Sequence, residues 1–421
     1  MDNDILRIVT ANWVLTLDGP ALRNGAVALH TGRIKDVGEL ETLISRYPGA
    51  AIERYSGVFM PPLINAHMHL ELSHLPAESP LDENETFTDW VEALIEKRGE
   101  HNFSETEVAR AATLQIQRQF DLGVVFIGDI GNDPNPHFLQ TKDSQLPKVY
   151  HMLELLGSTK KAQEISLERL EGLNRTTPAV AHAPYSTRTE LLGKIKKRCV
   201  ELDHVFSIHT AENAEEKDFI RSQSGQFYEF LKKRGLWDGD FFEMASTCES
   251  TIDYFSALNL LDEQTLLVHC VHLSDRDLQV IKDSGAHICV CPGSNAFLHS
   301  GVATIDRMIN HGILPAIGTD SVASNMCLDL WVEMQRIQTE QPTVKVLDIL
   351  KMVTQAGAKA FGQSQDYGSL SIGKKAAFLH VFSAEISNCI TESDLLNMLV
   401  RSGRPEKIEW IQQLLWNSRS N

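Results

Sequence analysis

At 421 residues, with 43% apolar and 23% charged side chains, the chain can bury a normal core and has room for a barrel of about 250 residues plus a small companion domain. The formal net charge is −17, from 39 Lys and Arg against 56 Asp and Glu; with no basic run, this excludes a protein that tracks nucleic-acid phosphates or coats an anionic membrane. No stretch of the sequence approaches about 18 consecutive apolar residues, so no transmembrane helix is expected.

The opening Met1-Asp-Asn-Asp has no basic segment leading into an apolar block, so no signal peptide is expected. The seven Cys residues include no CxxC pair. Buried thiols in a reducing compartment are expected, which makes the cytoplasm the default location and a structural zinc knuckle unexpected.

In chain order, Ile5 to Leu17 and Gly25 to Val37 alternate apolar and polar residues and break at Asp18-Gly19-Pro20 and near Thr31-Gly32. They read as antiparallel strands. The middle then alternates between two kinds of segment. Apolar runs suited to buried parallel strands lie at Val58–Ala66, Val124–Ile130, Lys148–Leu156, Ala179–Ala183, Val205–His209, Leu266–His269, His287–Cys291 and Leu314–Thr319. Amphipathic stretches such as Glu105–Asp121, Arg188–Leu202, Asp275–Ser284 and Ile305–His311 separate most of them. Strand–helix alternation at this scale predicts a parallel α/β sheet, and eight runs make a closed (β/α)8 TIM-type barrel the natural form. An open doubly wound sheet is the alternative, but no GxGxxG follows an early strand. Near the C-terminus, Gly368-Ser-Leu-Ser-Ile-Gly reads as a turn and Ala376 to Phe382 as a strand. Both chain ends are therefore expected to build one small β-sandwich domain, from 1–57 and 366–421, with the barrel over 58–365.

In such barrels the chemistry sits at the C-terminal ends of the strands. Here the first strand ends at His67-Met68-His69, the fifth at His209-Thr210-Ala211-Glu212, the sixth at His269 and the eighth at Asp320. Residues i and i+2 of a strand share a face, so His67 and His69 can grip one cation. His209 and Asp320 would complete the shell and leave a place for water. Imidazole and carboxylate ligands suit zinc, iron or manganese better than calcium or magnesium. HxH alone is a weak signal; four strand-end groups in this order are a strong one.

The segments Asn65-Ala66-His67-Met68-His69, Ile208-His209-Thr210-Ala211-Glu212, His269-Cys270-Val271-His272-Leu273 and Gly318-Thr319-Asp320-Ser321-Val322-Ala323-Ser324-Asn325 resemble the amidohydrolase superfamily. Within it they resemble the cytosine-deaminase-like branch, whose members include adenosine-type and guanine deaminases and triazine chlorohydrolases. The resemblance covers nearly the whole chain. It departs at Ala377, where members usually carry Asp, a position remote from the chemistry.

The resemblance implies one divalent metal, zinc first and iron second, on His67, His69, His209 and Asp320. It implies that Glu212 is a proton shuttle, donating to a ring nitrogen and then to the leaving amine; a solvated carboxylate at a helix start is the plainer alternative. His269 resembles the histidine that hydrogen-bonds the attacking water, or else a second-metal ligand as in binuclear members. Those members usually draw a bridging Lys or carboxylate from the fourth strand, and Ala181-His182-Ala183-Pro184-Tyr185-Ser186 offers neither, which favours one metal. Asp320 can also take a proton from the water.

For substrate, His182 resembles a contact of adenosine-type members, with a buried structural histidine as the alternative. Trp90, in the helix opening at Phe87, either walls the pocket or belongs to the core. The run from His67 to Leu75, then Phe87, Trp90 and Arg98, then Gly128-Asp129-Ile130-Gly131-Asn132, looks most like aminodeoxyfutalosine deaminases of menaquinone biosynthesis. Arg98 would then pair with the substrate's carboxylate, unless it is a surface arginine. Asp129 either orients neighbours or caps a loop. His74, His151 and His272 receive no role. The expected function is hydrolytic deamination of an adenine nucleoside: aminodeoxyfutalosine, then adenosylhomocysteine, methylthioadenosine or 5′-deoxyadenosine. Triazine hydrolysis and guanine- or cytosine-type deamination are the other readings, with a catalytically dead binding protein more remote. Nucleoside and water are the expected partners, nucleic acid and membrane are not, and relatives allow a homodimer.

Overall fold

The computed structural model describes residues 6–76, 80–82, 85–100, 103–140, 146–239, 247–402 and 404–412. Ile5 of the first expected strand and residues 413–421 of the expected terminal domain lie outside this set. The chain divides into two compact units, one of Met1–Ile64, Arg118–Val125 and Asp329–Asn421, the other of Asn65–Gln117 and Phe126–Leu328.

The first seven strands are β1 (Arg7–Thr10), β2 (Trp13–Val14), β3 (Leu22–Arg23), β4 (Gly25–His30), β5 (Arg33–Glu39), β6 (Ala51–Arg54) and β7 (Val58–Met60). Eight strands follow: β8 (Leu63–Met68), β9 (Val124–Gly131), β10 (Lys148–Leu155), β11 (Ala179–Ala181), β12 (Phe206–Thr210), β13 (Thr265–His269), β14 (His287–Val290) and β15 (Ala316–Ile317). The last two are β16 (Ala377–Phe382) and β17 (Lys407–Gln412).

The chain ends form two sheets, ordered β5-β4-β1-β6 and β17-β16-β7-β2-β3. Val9, Val27 and Leu29 of the first sheet share one buried cluster with Val14, Phe59, Phe378 and Ile411 of the second, which makes the pair a β-sandwich. The sheets are not wholly antiparallel as the alternation suggests. β1 runs parallel to β6 and β2 parallel to β7, because the chain leaves each sheet and returns before pairing. The apolar run Val58–Ala66 is likewise two strands. Pro61 and Pro62 lack the N–H that a ladder needs, so β7 ends at Met60 and joins β16, while β8 restarts at Leu63.

The eight middle strands lie in two four-stranded sheets, β11-β10-β9-β8 and β12-β13-β14-β15, with helices between most of them. They read as apolar runs because both faces are covered; every residue of β8, β12 and β13 is buried. The sheets meet at two seams. His209 N donates to His182 O at 3.0 Å, beside β12 and β11. At the other seam, Met68 of β8 bridges in parallel to Asp320, just past β15. The ring is a closed (β/α)8 barrel. Local signals set its outer helices: Asp275–Ser284 begins in a capping box between Ser274 and Asp277 and ends at Gly285 with φ of 79°. No helix of the described residues is long and apolar enough to cross a membrane.

Candidate active site

The seam between β15 and β8 brings the first and last strand ends together. Thr319 N and Asp320 N both donate to His67 O, at 3.1 and 3.0 Å. Asn65 clasps Thr319 from the side, donating to its Oγ1 at 2.8 Å and accepting from its N at 3.2 Å. Gly318 is needed here: an added Cβ would stand 2.7 Å from His67 Cβ and 2.9 Å from its backbone N and O. Asp320 then takes a left-handed backbone with φ of 60°, uncommon for a residue with a Cβ, and its side chain turns toward the barrel mouth.

His67, His69 and His209 each offer a ring nitrogen within 4.8 Å of the others, and His67, His269 and Asp320 form a second such set. Asp320 Oδ1 lies 3.6 Å from His67 Nε2 and 3.5 Å from His69 Nε2. The donor chemistry fits a divalent metal. His67 is fully buried, yet neither ring nitrogen has a hydrogen-bond partner, a costly state unless an ion uses the lone pair. His209 Nδ1 donates to His182 O at 2.7 Å, which fixes the tautomer and leaves Nε2 as the free lone pair. Burial pushes His69 down to about 3 and His209 well below the ordinary imidazole value, so both are neutral, as ligands must be. Burial alone would raise Asp320, but the imidazoles that surround it, His67 first, then His69 and His269, outweigh it and hold the carboxyl well below its usual range.

Two further groups face this cluster. Glu212 follows Ala211, whose φ is 47°; Ala211 N donates to buried Glu216 at 2.7 Å, and Thr251 Oγ1 holds the same oxygen at 2.5 Å. Burial first, then the charges of Asp320 and Glu216, raise Glu212 well above the usual carboxyl value, which favours its protonated form. His269 (φ 72°) directs Nδ1 at Asn295 Oδ1, 3.0 Å away, and its Nε2 stands 3.7 Å from Glu212 Oε1. Burial pushes His269 down to about 4, so its Nε2 is an acceptor. Ser294 Oγ donates to Asp320 Oδ2 at 2.6 Å. A carboxyl pushed up, an imidazole pushed down and a carboxyl held down thus surround the candidate metal cluster.

Above the cluster lies a pocket of about 190 Å³ whose walls include Phe87, Trp90, Leu94, Arg98, His182 and Tyr185. Trp90 is fixed by Nε1 donating to Ala323 O at 3.1 Å. His182 bonds Ser186 Oγ through Nδ1 at 2.6 Å. Arg98 is 42% exposed; its Nη2 reaches Glu71 Oε1 at 2.9 Å and Asn132 Oδ1 at 3.2 Å. Residues unmarked by any motif also reach the site. Ser294 and Asn295 come from the short helix Pro292–Phe297 after β14. Glu154, near the end of β10, is 7% exposed, and burial pushes its carboxyl up to about 7. The strand-end rule that finds His67 would also find Glu154. With His182 and His209 it forms a third candidate metal set. His209 belongs to both sets, and its Nδ1 already donates to a carbonyl.

Residues 58–399 match the amidohydrolase family. The chain belongs to that family. It is a hydrolase of carbon–nitrogen bonds. This amidohydrolase is 27% identical over 405 residues to a 5-methylthioadenosine/S-adenosylhomocysteine deaminase of Syntrophobacter fumaroxidans, covering 89% of this chain and 84% of the relative. It is 26% identical over 422 residues to an aminodeoxyfutalosine deaminase of Nitratiruptor, covering 96% of this chain and 98% of the relative. Its fold is that of Helicobacter pylori aminofutalosine deaminase in complex with methylthio-coformycin, with a TM-score of 0.81 at 24% identity over 97% and 98% of the two chains. A zinc-bound adenosine deaminase of Xanthomonas campestris superposes with a TM-score of 0.72 at 20% identity, over 99% and 95%.

Proposed function

We propose that this amidohydrolase removes ammonia from the adenine ring of a nucleoside by hydrolysis. Aminodeoxyfutalosine comes first, because the Nitratiruptor relative matches nearly end to end; methylthioadenosine, adenosylhomocysteine and 5′-deoxyadenosine follow. An aminodeoxyfutalosine substrate would place the enzyme in menaquinone biosynthesis. The observation that carries the reading is the buried Glu212 carboxyl facing His269 Nε2 at 3.7 Å beside the His67, His69, His209 and Asp320 cluster.

In this reading the four ligands hold one divalent ion, zinc first and iron second. When bound, such an ion polarises a coordinated water and brings its pKa toward 7. The protein's own groups move the protons. As water adds to the amidine carbon, one proton passes to Asp320, and Glu212 gives its own to the adjacent ring nitrogen. Glu212, now ionised, takes the remaining hydroxyl proton and hands it to the amine. The C–N bond breaks as the C=O forms, ammonia leaves, and the proton on Asp320 resets Glu212. His269 Nε2 orients the attacking water by accepting from it. His182 and Trp90 wall the purine, and Arg98 meets the tail. The catalytic domain is 58–365 and the sandwich domain 1–57 and 366–421, in a cytoplasmic enzyme and a homodimer.

The test is ammonia release from a panel of adenine nucleosides and triazines by metal-replete and chelated protein. Release from nucleosides, lost on chelation and restored by zinc, is expected. Turnover of triazines alone would overturn the proposal.

A further inference from the structure

Behind His69, away from the pocket, lies a buried ion pair that the proposed chemistry does not use. Asp129, on β9, is fully buried. Its Oδ1 accepts from Leu70 N at 2.8 Å, and Leu70 directly follows His69. Its Oδ2 stands 2.6 Å from His151 Nδ1. His151 is its register partner on the parallel strand β10. The other ring nitrogen, His151 Nε2, points at Asp133 O, 2.7 Å away. A carboxylate and a carbonyl both accept, so the ring donates from both nitrogens as an imidazolium.

The next turn is held by the same strand end. Glu71 Oε2 accepts from Asn132 N at 2.6 Å. Gly131 leaves the space for this: a Cβ there would meet Glu71 Oε2 at 3.0 Å and His151 Cε1 at 3.1 Å. Residues 129–132 therefore hold this turn at two points, the Leu70 backbone N–H and the Glu71 side chain. As a stability device alone a buried ion pair is a poor choice, since well-packed apolar side chains do as well or better. What this pair supplies is direction. A charge-assisted bond to Leu70 N fixes the peptide on which the His69 imidazole is mounted.

We infer that Asp129 and His151 are positioning residues for the metal centre, locking the backbone after His69 so that its imidazole is aimed before the ion arrives. The inference rests on the reading of His67, His69, His209 and Asp320 as metal ligands. Neither residue lines the pocket.

The experiment is zinc affinity, measured on apo-protein by chelator competition, together with the apo-protein Tm, for wild type, Asp129→Ala, Asp129→Asn and His151→Gln. Asp129→Ala is expected to bind zinc about 10–100-fold more weakly, the range for groups that orient ligands. Asp129→Asn keeps an oxygen for Leu70 N and should recover most of the loss; His151→Gln should fall between. Loss of apo-protein Tm with wild-type zinc affinity in Asp129→Ala is the signature of a merely structural pair and would overturn the inference. If Asp129→Ala does not fold, wild-type affinity in His151→Gln has the same force. Wild-type protein that takes up no zinc would remove the metal reading and this inference together, whereas wild-type affinity in the variants removes the inference alone.

Discussion

Nε2 of His269 and Oε1 of Glu212 stand 3.7 Å apart, and burial shifts them in opposite directions, the imidazole down to about 4 and the carboxyl well above its usual value. Each is fixed from behind, His269 by Asn295 and the Glu212 turn by Glu216. A donor and an acceptor are thus kept side by side in one low-dielectric space.

Glu212→Gln preserves shape and removes the group that can give up and take back a proton. The expected result is a drop in kcat of about 10²–10⁴-fold, with zinc content by elemental analysis unchanged. Retained turnover would take the proton transfer away from Glu212.

Glu216 links stability to pH. Burial pushes its carboxyl up to about 7, so between about 4.5 and 7 the folded protein holds a proton that the unfolded chain has lost. Stability therefore falls as pH rises through that window, by roughly 3 kcal/mol at most at about 1.4 kcal/mol per unit. The Tm of wild type should fall more between pH 5 and pH 7.5 than that of Glu216→Gln, which has no proton to lose. Parallel curves would contradict the assignment.

Gly318→Ala places a methyl 2.7 Å from His67 Cβ, in a contact made mostly of backbone that cannot swing aside. A cost of about 1–3 kcal/mol is expected from overpacking, seen as a lower Tm. Because the displaced residue is a candidate ligand, zinc affinity should fall in the same variant. A lower Tm with undiminished affinity would mean that the seam yields elsewhere.

Arg98 already bonds Glu71 and Asn132, so an incoming carboxylate has to share it. Arg98→Met should raise KM for a carboxylate-tailed adenine nucleoside about 10–100-fold, the value of a hydrogen bond to a charged group. Methylthioadenosine, whose tail is uncharged, should be nearly unaffected. Glu71→Gln should do the opposite for the anionic tail by freeing the guanidinium. Equal effects on both substrates would place Arg98 in the architecture of the wall.

Much of this arrangement is readable before any coordinates. The strand ends at His67, His209, His269 and Asp320 are visible because a buried parallel strand is an apolar run, and an abrupt polar residue marks where it meets solvent and ligand. What stays hidden depends on register and on helices too short to show a period. Asp129 and His151 are 22 residues apart, and only the parallel pairing of β9 with β10 sets them opposite each other. Ser294 and Asn295 ride on a helix of six residues. Val58–Ala66 reads as one strand until its two prolines are given their backbone consequence.

The double hydrogen bond onto His67 O joins chain positions 67 and 320, so two candidate ligands become neighbours only when the ring is complete. On the proposed metal reading, ion uptake and ring closure are then coupled: the unfolded chain keeps only the local His67–His69 pair and lacks the full set. On that reading, free zinc would raise the unfolding free energy with the logarithm of its concentration.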